Sequence, residues 1–362
     1  MRGRALARTV GSRERQAGVV ESIEAYVGDE LGASERFIRL SAPLEIERRE
    51  PIALQGERLA AFAEKKRYKV PATFVAKIPD ARMVGSGLGS DALLMAPDHR
   101  LFLESSYDLE QLEKSPLYGS RLPRPRHLPG TFIAVPTLWY RNHFHWMTDL
   151  LPRFSLLAEA GLNDDLPLVL PGPVSRQQLS SLALVGIAES RIRCFDGTHW
   201  ILDETYFPSL SSGTGNPSPH AMQWLRERLA PTATAGRRRL WVTRGPSAQR
   251  RVSNEPELQD VLSRHGFETL DPGSRPFAEQ MSAFAEADVI AGPHGAGLTG
   301  MIAARAATVI EVFDPRYVNT CYYALADSLG HHYAYLAGEA DDRGDTYIKP
   351  LQLEALLSQL LA

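Results

Sequence analysis

The chain has 362 residues, 40 Lys+Arg against 43 Asp+Glu and a net charge of −3, with 44% hydrophobic and 23% charged residues. Those are ordinary globular values at a length suited to two domains, and the near-neutral balance argues against a generalised nucleic-acid surface. Only Cys194 and Cys321 are present, far apart and in no CxxC or Cys/His spacing, which excludes a disulfide framework or a structural zinc site and points to a reducing compartment.

The start carries Arg2, Arg4, Arg8, Arg13 and Arg15 with no apolar run after them, so it does not read as a signal peptide. It reads as a solvated terminus, with peripheral contact to an anionic membrane as the alternative. The longest apolar stretches, such as 182–188, fall far short of the roughly 18 residues a membrane span needs. A soluble, cytoplasmic protein is expected. Residues 1–128 give mixed signals. From there the order becomes β/α: a strand at 130–139, a helix at 144–161 kinked or reset by Pro152, a strand at 166–172, a helix at 175–187 and a strand at 192–195. The Ser/Gly/Pro-rich run 208–220 reads as an interdomain linker.

Beyond it the alternation is regular. A strand at 237–244 precedes a helix opened by Asn254 and Pro256 and stopped by Gly266. A strand at 267–270, a helix at 277–287 and a strand at 288–292 follow, then a Gly-rich turn into a further helix. A strand at 308–314, a helix near 318–328 and an extended 333–337 complete the pattern, and 351–362 forms an apolar-faced helix. Apolar strands joined by crossovers imply a Rossmann-like parallel sheet. The expected domains are 1–207 on the acceptor side, a linker at 208–220, a nucleotide-binding unit at 221–345 and a terminal helix at 346–362.

Four features carry chemistry. The turn 292–300 follows a strand, and Gly292, Gly295 and Gly297 allow close backbone approach to a ligand. A helix beginning near Ala296 would aim free amides at an anion, with His294 at its mouth donating to a phosphate oxygen; the alternative is a tight strand–helix connection. The spacing is not the dinucleotide GxGxxG and no Walker lysine follows, which weakens an NAD-dependent oxidoreductase reading. Between 237 and 251 stand Arg237, Arg238, Arg239, Arg244, Arg250 and Arg251 with no acid. Arg244, directly after a strand, falls at the carboxyl edge where ligands bind, whereas 237–239 read as a solvated basic run.

Glu311, inside an apolar strand, either accepts from ribose or sugar hydroxyls or pairs with a nearby Arg. On a helix from 144, His145 and Asp149 are i,i+4 neighbours: Asp149 either fixes the His145 tautomer or is itself a base, and a structural pair is the alternative. His143 and His145 are two apart and would not converge on one metal. Trp146 reads as core. The chain has no Asp-x-Asp motif, so neither a metal nor another cofactor is expected, and arginines with the helix terminus would neutralise a diphosphate.

Together, 142–153 and the run from 239 through 313 resemble glycosyltransferase family 61, whose bacterial members include capsular polysaccharide biosynthesis proteins. The resemblance implies α/β architecture with two Rossmann-like domains facing a cleft (GT-B type) and metal-independent, inverting transfer from a nucleotide sugar to a glycan or glycolipid acceptor. It places Arg244, Asn254, His294, Gly295, Ala296, Gly297 and Glu311 on the donor side and His145 and Asp149 on the acceptor side. A non-catalytic nucleotide- or sugar-binding module of the same fold is the alternative.

Overall fold

The computed structural model describes residues 15–361 except 55–58, 88, 90, 163–164, 231–236, 246–249 and 342–343. The basic start at Arg2, Arg4, Arg8 and Arg13 lies outside the described residues.

The second half forms a six-stranded sheet. Phe267–Leu270, Arg238–Val242, Ala287–Pro293, Thr308–Phe313 and His332–Ala337 lie side by side in that order, all parallel. The first strand in sequence thus sits between the second and third, and the direction in which successive strands are added reverses there. Such a switch point opens a crevice at the carboxyl ends of the strands. Both faces of the inner strands are covered, which is why their central residues are mostly apolar. Leu240 and Val242 pack with Phe277, Met281 and Phe284 on one face. Trp241, one residue out of step, packs with Leu258, Val261 and Leu262 on the other. The terminal helix Pro350–Leu361 docks there through Leu353, Leu356 and Leu357.

A second Rossmann-like unit does not form in the first half. Its nine-stranded sheet is mixed. Arg126–Ala134, Leu168–Pro171, Ile192–Phe195 and His199–Pro208 run parallel, but Thr73–Gly85 pairs antiparallel with His199–Pro208 and with Ala92–Met95. The physical reason is connection length: 73–102 folds back through short turns, and parallel neighbours need a crossover.

The run 208–220, expected as a linker, is packed instead. Ser209, Ser211, Ser212 and Ser218 are buried. Its Gly213 amide donates to the Tyr68 hydroxyl at 2.5 Å, and Asn216 accepts from the buried Arg48 at 3.2 Å. Strand Ile52–Ala53, from the first half, extends the second sheet beside His332–Ala337. One apolar cluster joins Ile133, Phe154 and Leu168 to Leu240, Ile290 and Val309. The boundary expected at 207 therefore does not separate two cores.

Where the halves meet, His331 is 2% exposed. Its Nε2 donates to Met301 O at 3.0 Å, and its Nδ1 accepts from the Ala307 amide at 3.2 Å. Both nitrogens are satisfied only in the neutral ring, and burial holds the pKa down at about 4 from the usual 6.5. Between those values the unfolded chain binds a proton that the folded chain does not, so stability rises with pH and is lost as pH falls through the window. Urea titrations from pH 7 to 4 should show this residue removing up to about 1.4 kcal/mol per pH unit. His331→Asn is expected to flatten that slope; an unchanged slope contradicts the assignment.

Candidate active site

A crevice of about 250 Å³ lies at the switch point. It is lined by Val242, Thr243 and Arg244 after one strand, Asp271–Gly273 after the next, and Pro293 with Gly295–Leu298 after the third. The Arg244 guanidinium donates to His294 O. It crosses directly over Gly295, where a Cβ would overlap its Nη1. Gly292 likewise lies against Val242 O, with no room for a side chain. These glycines are required for close approach rather than for a turn, since Gly295 has an extended φ of 171°. Burial, followed by the neighbouring charge of Arg250, pushes the Arg244 pKa down. The guanidinium nonetheless remains a cation in any protein setting.

The element after Gly295 is not the expected α-helix. Ala296–Ala303 is a 3-10 helix, its first bond running from Leu298 N–H to Gly295 O at 3.0 Å. Gly297 and Gly300 are poor helix formers, and Gly300 sits so close to the Phe284 ring that no side chain fits. The Ala296 and Gly297 amides precede that first bond and belong to the crevice wall.

The crevice continues into a cavity of about 730 Å³ between the two halves. His143, Arg244, Gly295 and Ala296 line both spaces. Of the three histidines lining the larger one, two are each braced by a buried carboxylate. His145 Nδ1 is 2.6 Å from Asp149 Oδ2, with 17% of the His145 side chain exposed and 2% of the Asp149 side chain. The same carboxylate accepts from the Tyr107 hydroxyl, and Thr148 Oγ1 is 2.8 Å from its other oxygen. Burial, then the Asp149 charge, pushes the Tyr107 phenol well above its usual pKa, so it stays a donor. His294 Nδ1 meets Glu311 Oε1, and the Tyr333 hydroxyl donates to Glu311 Oε2 at 2.5 Å. With Nδ1 committed to a carboxylate in each case, Nε2 is the nitrogen left for chemistry.

The helix expected over 144–161 is built in three pieces: an α-turn His143–His145, a π-turn Trp146–Leu150 and a helix Arg153–Glu159. Pro152 has no amide to continue the α ladder, and the wide turn before it closes with Leu151 N–H on Trp146 O at 3.1 Å. Asp149 rides on that turn beneath His145. Trp146 is core as expected, fully buried with Nε1 on Ser181 Oγ at 2.8 Å.

Arg244, His294, Gly295, Ala296, Gly297 and His145 therefore line one continuous space. Two sequence expectations need correction. Glu311 is fully buried and occupied by His294 and Tyr333, so it does not meet a ribose, nor does it pair with an arginine. Asn254 is 5% exposed and its amide pairs with both backbone groups of Ile348, at 2.8 and 3.0 Å. It pins the C-terminal segment and lies in neither lining. Of the other arginines, Arg250 reaches the cavity, stacked 4.7 Å over Tyr317. Arg251 pairs with Asp345 and Arg238 with Glu268 and Glu286.

Sequence reading did not single out Lys65, Trp139 or Arg141 for this cavity, or Tyr107 and Tyr333 behind the histidines. Trp139 carried one signal in its setting, three residues before the Asn-His-Phe-His motif. Its φ is +54°, a conformation held by its amide on Asp91 at 2.5 Å, and its ring stacks on Tyr107 beside His145.

A parallel sheet whose arginine-crossed glycine turn opens onto a histidine–carboxylate pair has the parts of an enzyme active site. The family model for Glycosyltransferase 61 matches residues 143–310, a little under half of the chain, and identifies a glycosyltransferase. The crystal structure of the bacterial iron-containing dodecameric glycosyltransferase TibC from enterotoxigenic E. coli H10407 shows a distant likeness. Identity is 11% and the TM-score 0.30, over 67% of this chain and 75% of that one. Among curated proteins, none matches the chain.

Proposed function

We propose that the enzyme transfers a sugar from a nucleotide sugar to a hydroxyl of a glycan acceptor, with inversion and without a metal, in the space between its two halves. The observation that carries this reading is the joining of Arg244 and the 295–297 turn to the His145–Asp149 pair through one space. The nucleotide occupies the switch-point crevice and the diphosphate lies against Arg244 and the Ala296 and Gly297 amides. His294, its ring fixed at Nδ1 by Glu311, presents Nε2 to a phosphate oxygen. His145 Nε2 takes the proton from the acceptor hydroxyl, whose oxygen bonds to the anomeric carbon opposite the leaving group. The bond from that carbon to the phosphate oxygen breaks, and the nucleoside diphosphate leaves with the electron pair. Asp149 stabilises the imidazolium that forms on His145.

Charge supports the metal-free arrangement. Lys65, Arg141, Arg244 and Arg250 line the larger cavity, and no carboxylate does among the described residues. The group able to hold a metal among those residues, Asp80, His127 and Asp203, sits on the first sheet and belongs to neither lining. No helix among them is long and apolar enough to cross a membrane. The acceptor in this reading is a glycan or glycolipid of a surface or capsular polysaccharide, met in the cytoplasm or at the inner membrane face, as in the bacterial proteins the motifs resemble.

A thermal-shift panel of UDP-, GDP-, CMP- and dTDP-sugars with EDTA present tests the reading. One class should raise the melting temperature, by the equivalent of about 2.7 kcal/mol at a hundredfold excess over Kd. No shift with any of them, or a shift abolished by EDTA, overturns it.

A further inference from the structure

We infer that His143 is a donor-specificity residue, its imidazole hydrogen-bonded to a hydroxyl of the transferred sugar where the nucleotide crevice opens into the larger cavity. The inference rests on the proposed function and adds a residue to it.

His143 lines both spaces, a position it shares with Arg244, Gly295 and Ala296. It opens the short α-turn that Asn142 caps by accepting from the Phe144 amide at 2.9 Å. Its ring is held edge-on to Phe277, with 6.2 Å between centroids. Neither ring nitrogen makes a hydrogen bond among the described residues, in contrast to His145, His294 and His331. Desolvation holds its pKa at about 4, so the ring is neutral at physiological pH. A neutral imidazole offers one N–H and one lone pair. Phosphate oxygens can satisfy only the N–H, and Arg244 and the turn amides already serve them. A sugar hydroxyl both donates and accepts, and adjacent hydroxyls engage both nitrogens. A site built to bond a hydroxyl discriminates strongly, because its own polar groups are left unpaired when the wrong sugar enters.

The test uses the full chain and the nucleotide sugar that stabilises it most among the UDP-, GDP-, CMP- and dTDP-sugars, together with the matching sugar-free nucleotide. His143→Phe keeps the ring and its packing on Phe277 but removes both nitrogens. It should lose about tenfold to a hundredfold in affinity and in kcat/KM for the nucleotide sugar, as expected when a buried polar partner is removed. Its affinity for the sugar-free nucleotide should match wild type. His143→Asn, which restores a donor and an acceptor, should recover part of the loss. Equal loss for both ligands assigns His143 to the nucleotide and overturns the proposal. So does no loss for either, or a wild type that binds neither. Arg244→Ala separates the two readings. If it weakens both ligands while His143→Phe weakens neither, the proposed function stands and only the His143 assignment fails. If Arg244→Ala weakens neither, the functional reading fails as well.

Discussion

His145→Ala is expected to lower turnover by about a hundredfold to ten-thousandfold, the contribution of a positioned general base, while nucleotide-sugar affinity stays near wild type. The separation follows from position: His145 faces only the larger cavity, and the crevice that would take the nucleotide does not include it. Asp149→Asn should approach the same loss by another route. The carboxylate is buried and reaches the reaction only through His145 Nδ1 at 2.6 Å. An amide there can present its NH₂ and turn the ring to the tautomer whose Nε2 already carries a proton, leaving no base. The pair should therefore be non-additive, with the double variant scarcely slower than His145→Ala alone. Single-turnover transfer combined with calorimetry on the nucleotide sugar measures both quantities. Full turnover in His145→Ala removes the base assignment; multiplied losses in the double variant show that Asp149 acts independently.

The second sheet was legible because its strands hold short apolar runs and its first helix begins and ends on Asn254–Pro256 and Gly266, signals that depend on a few adjacent residues. The glycine turn was legible for the same reason. What the sequence concealed is tertiary. Asn254 has the identity of a helix cap, but its amide fits the backbone of Ile348, 94 residues away, and nothing local distinguishes the two uses. Glu311 was recognisable as a costly buried charge. Its partners, however, are His294 on the neighbouring strand end and Tyr333 on the strand beyond, a choice set by sheet register. Tyr107, which braces Asp149, comes from the first 128 residues, where short antiparallel strands leave no long periodic pattern. The packing of 208–220 was hidden by composition: Ser, Gly and Pro suit a solvated linker and a closely packed wall equally. Thr214, Gly215 and Asn216 from that segment in fact line the larger cavity.

Arg244→Ala should lower kcat/KM by about a hundredfold to a thousandfold, the scale of losing one preorganised donor to a developing charge. Nucleoside-diphosphate affinity should fall by about 1.5–3 kcal/mol, the range for a hydrogen bond to a charged group. The site contributes more than charge alone. Arg250 and Lys65 also line the cavity, but Arg250 stacks on Tyr317, and neither lines the crevice. Arg244 alone among these cations spans both spaces, with its guanidinium laid over Gly295 and tethered to His294 O. Arg244→Lys keeps the charge but loses the fork, and should recover only part of the loss. Gly295→Ala is the sharper test, because it leaves every charge in place and only fills the space the guanidinium occupies. If oriented donation is what matters, Gly295→Ala should resemble Arg244→Ala in diphosphate affinity and in kcat/KM. If bulk positive charge were sufficient, Gly295→Ala would bind the diphosphate as wild type does and Arg244→Lys would be fully active, which would leave the guanidinium without the role assigned to it.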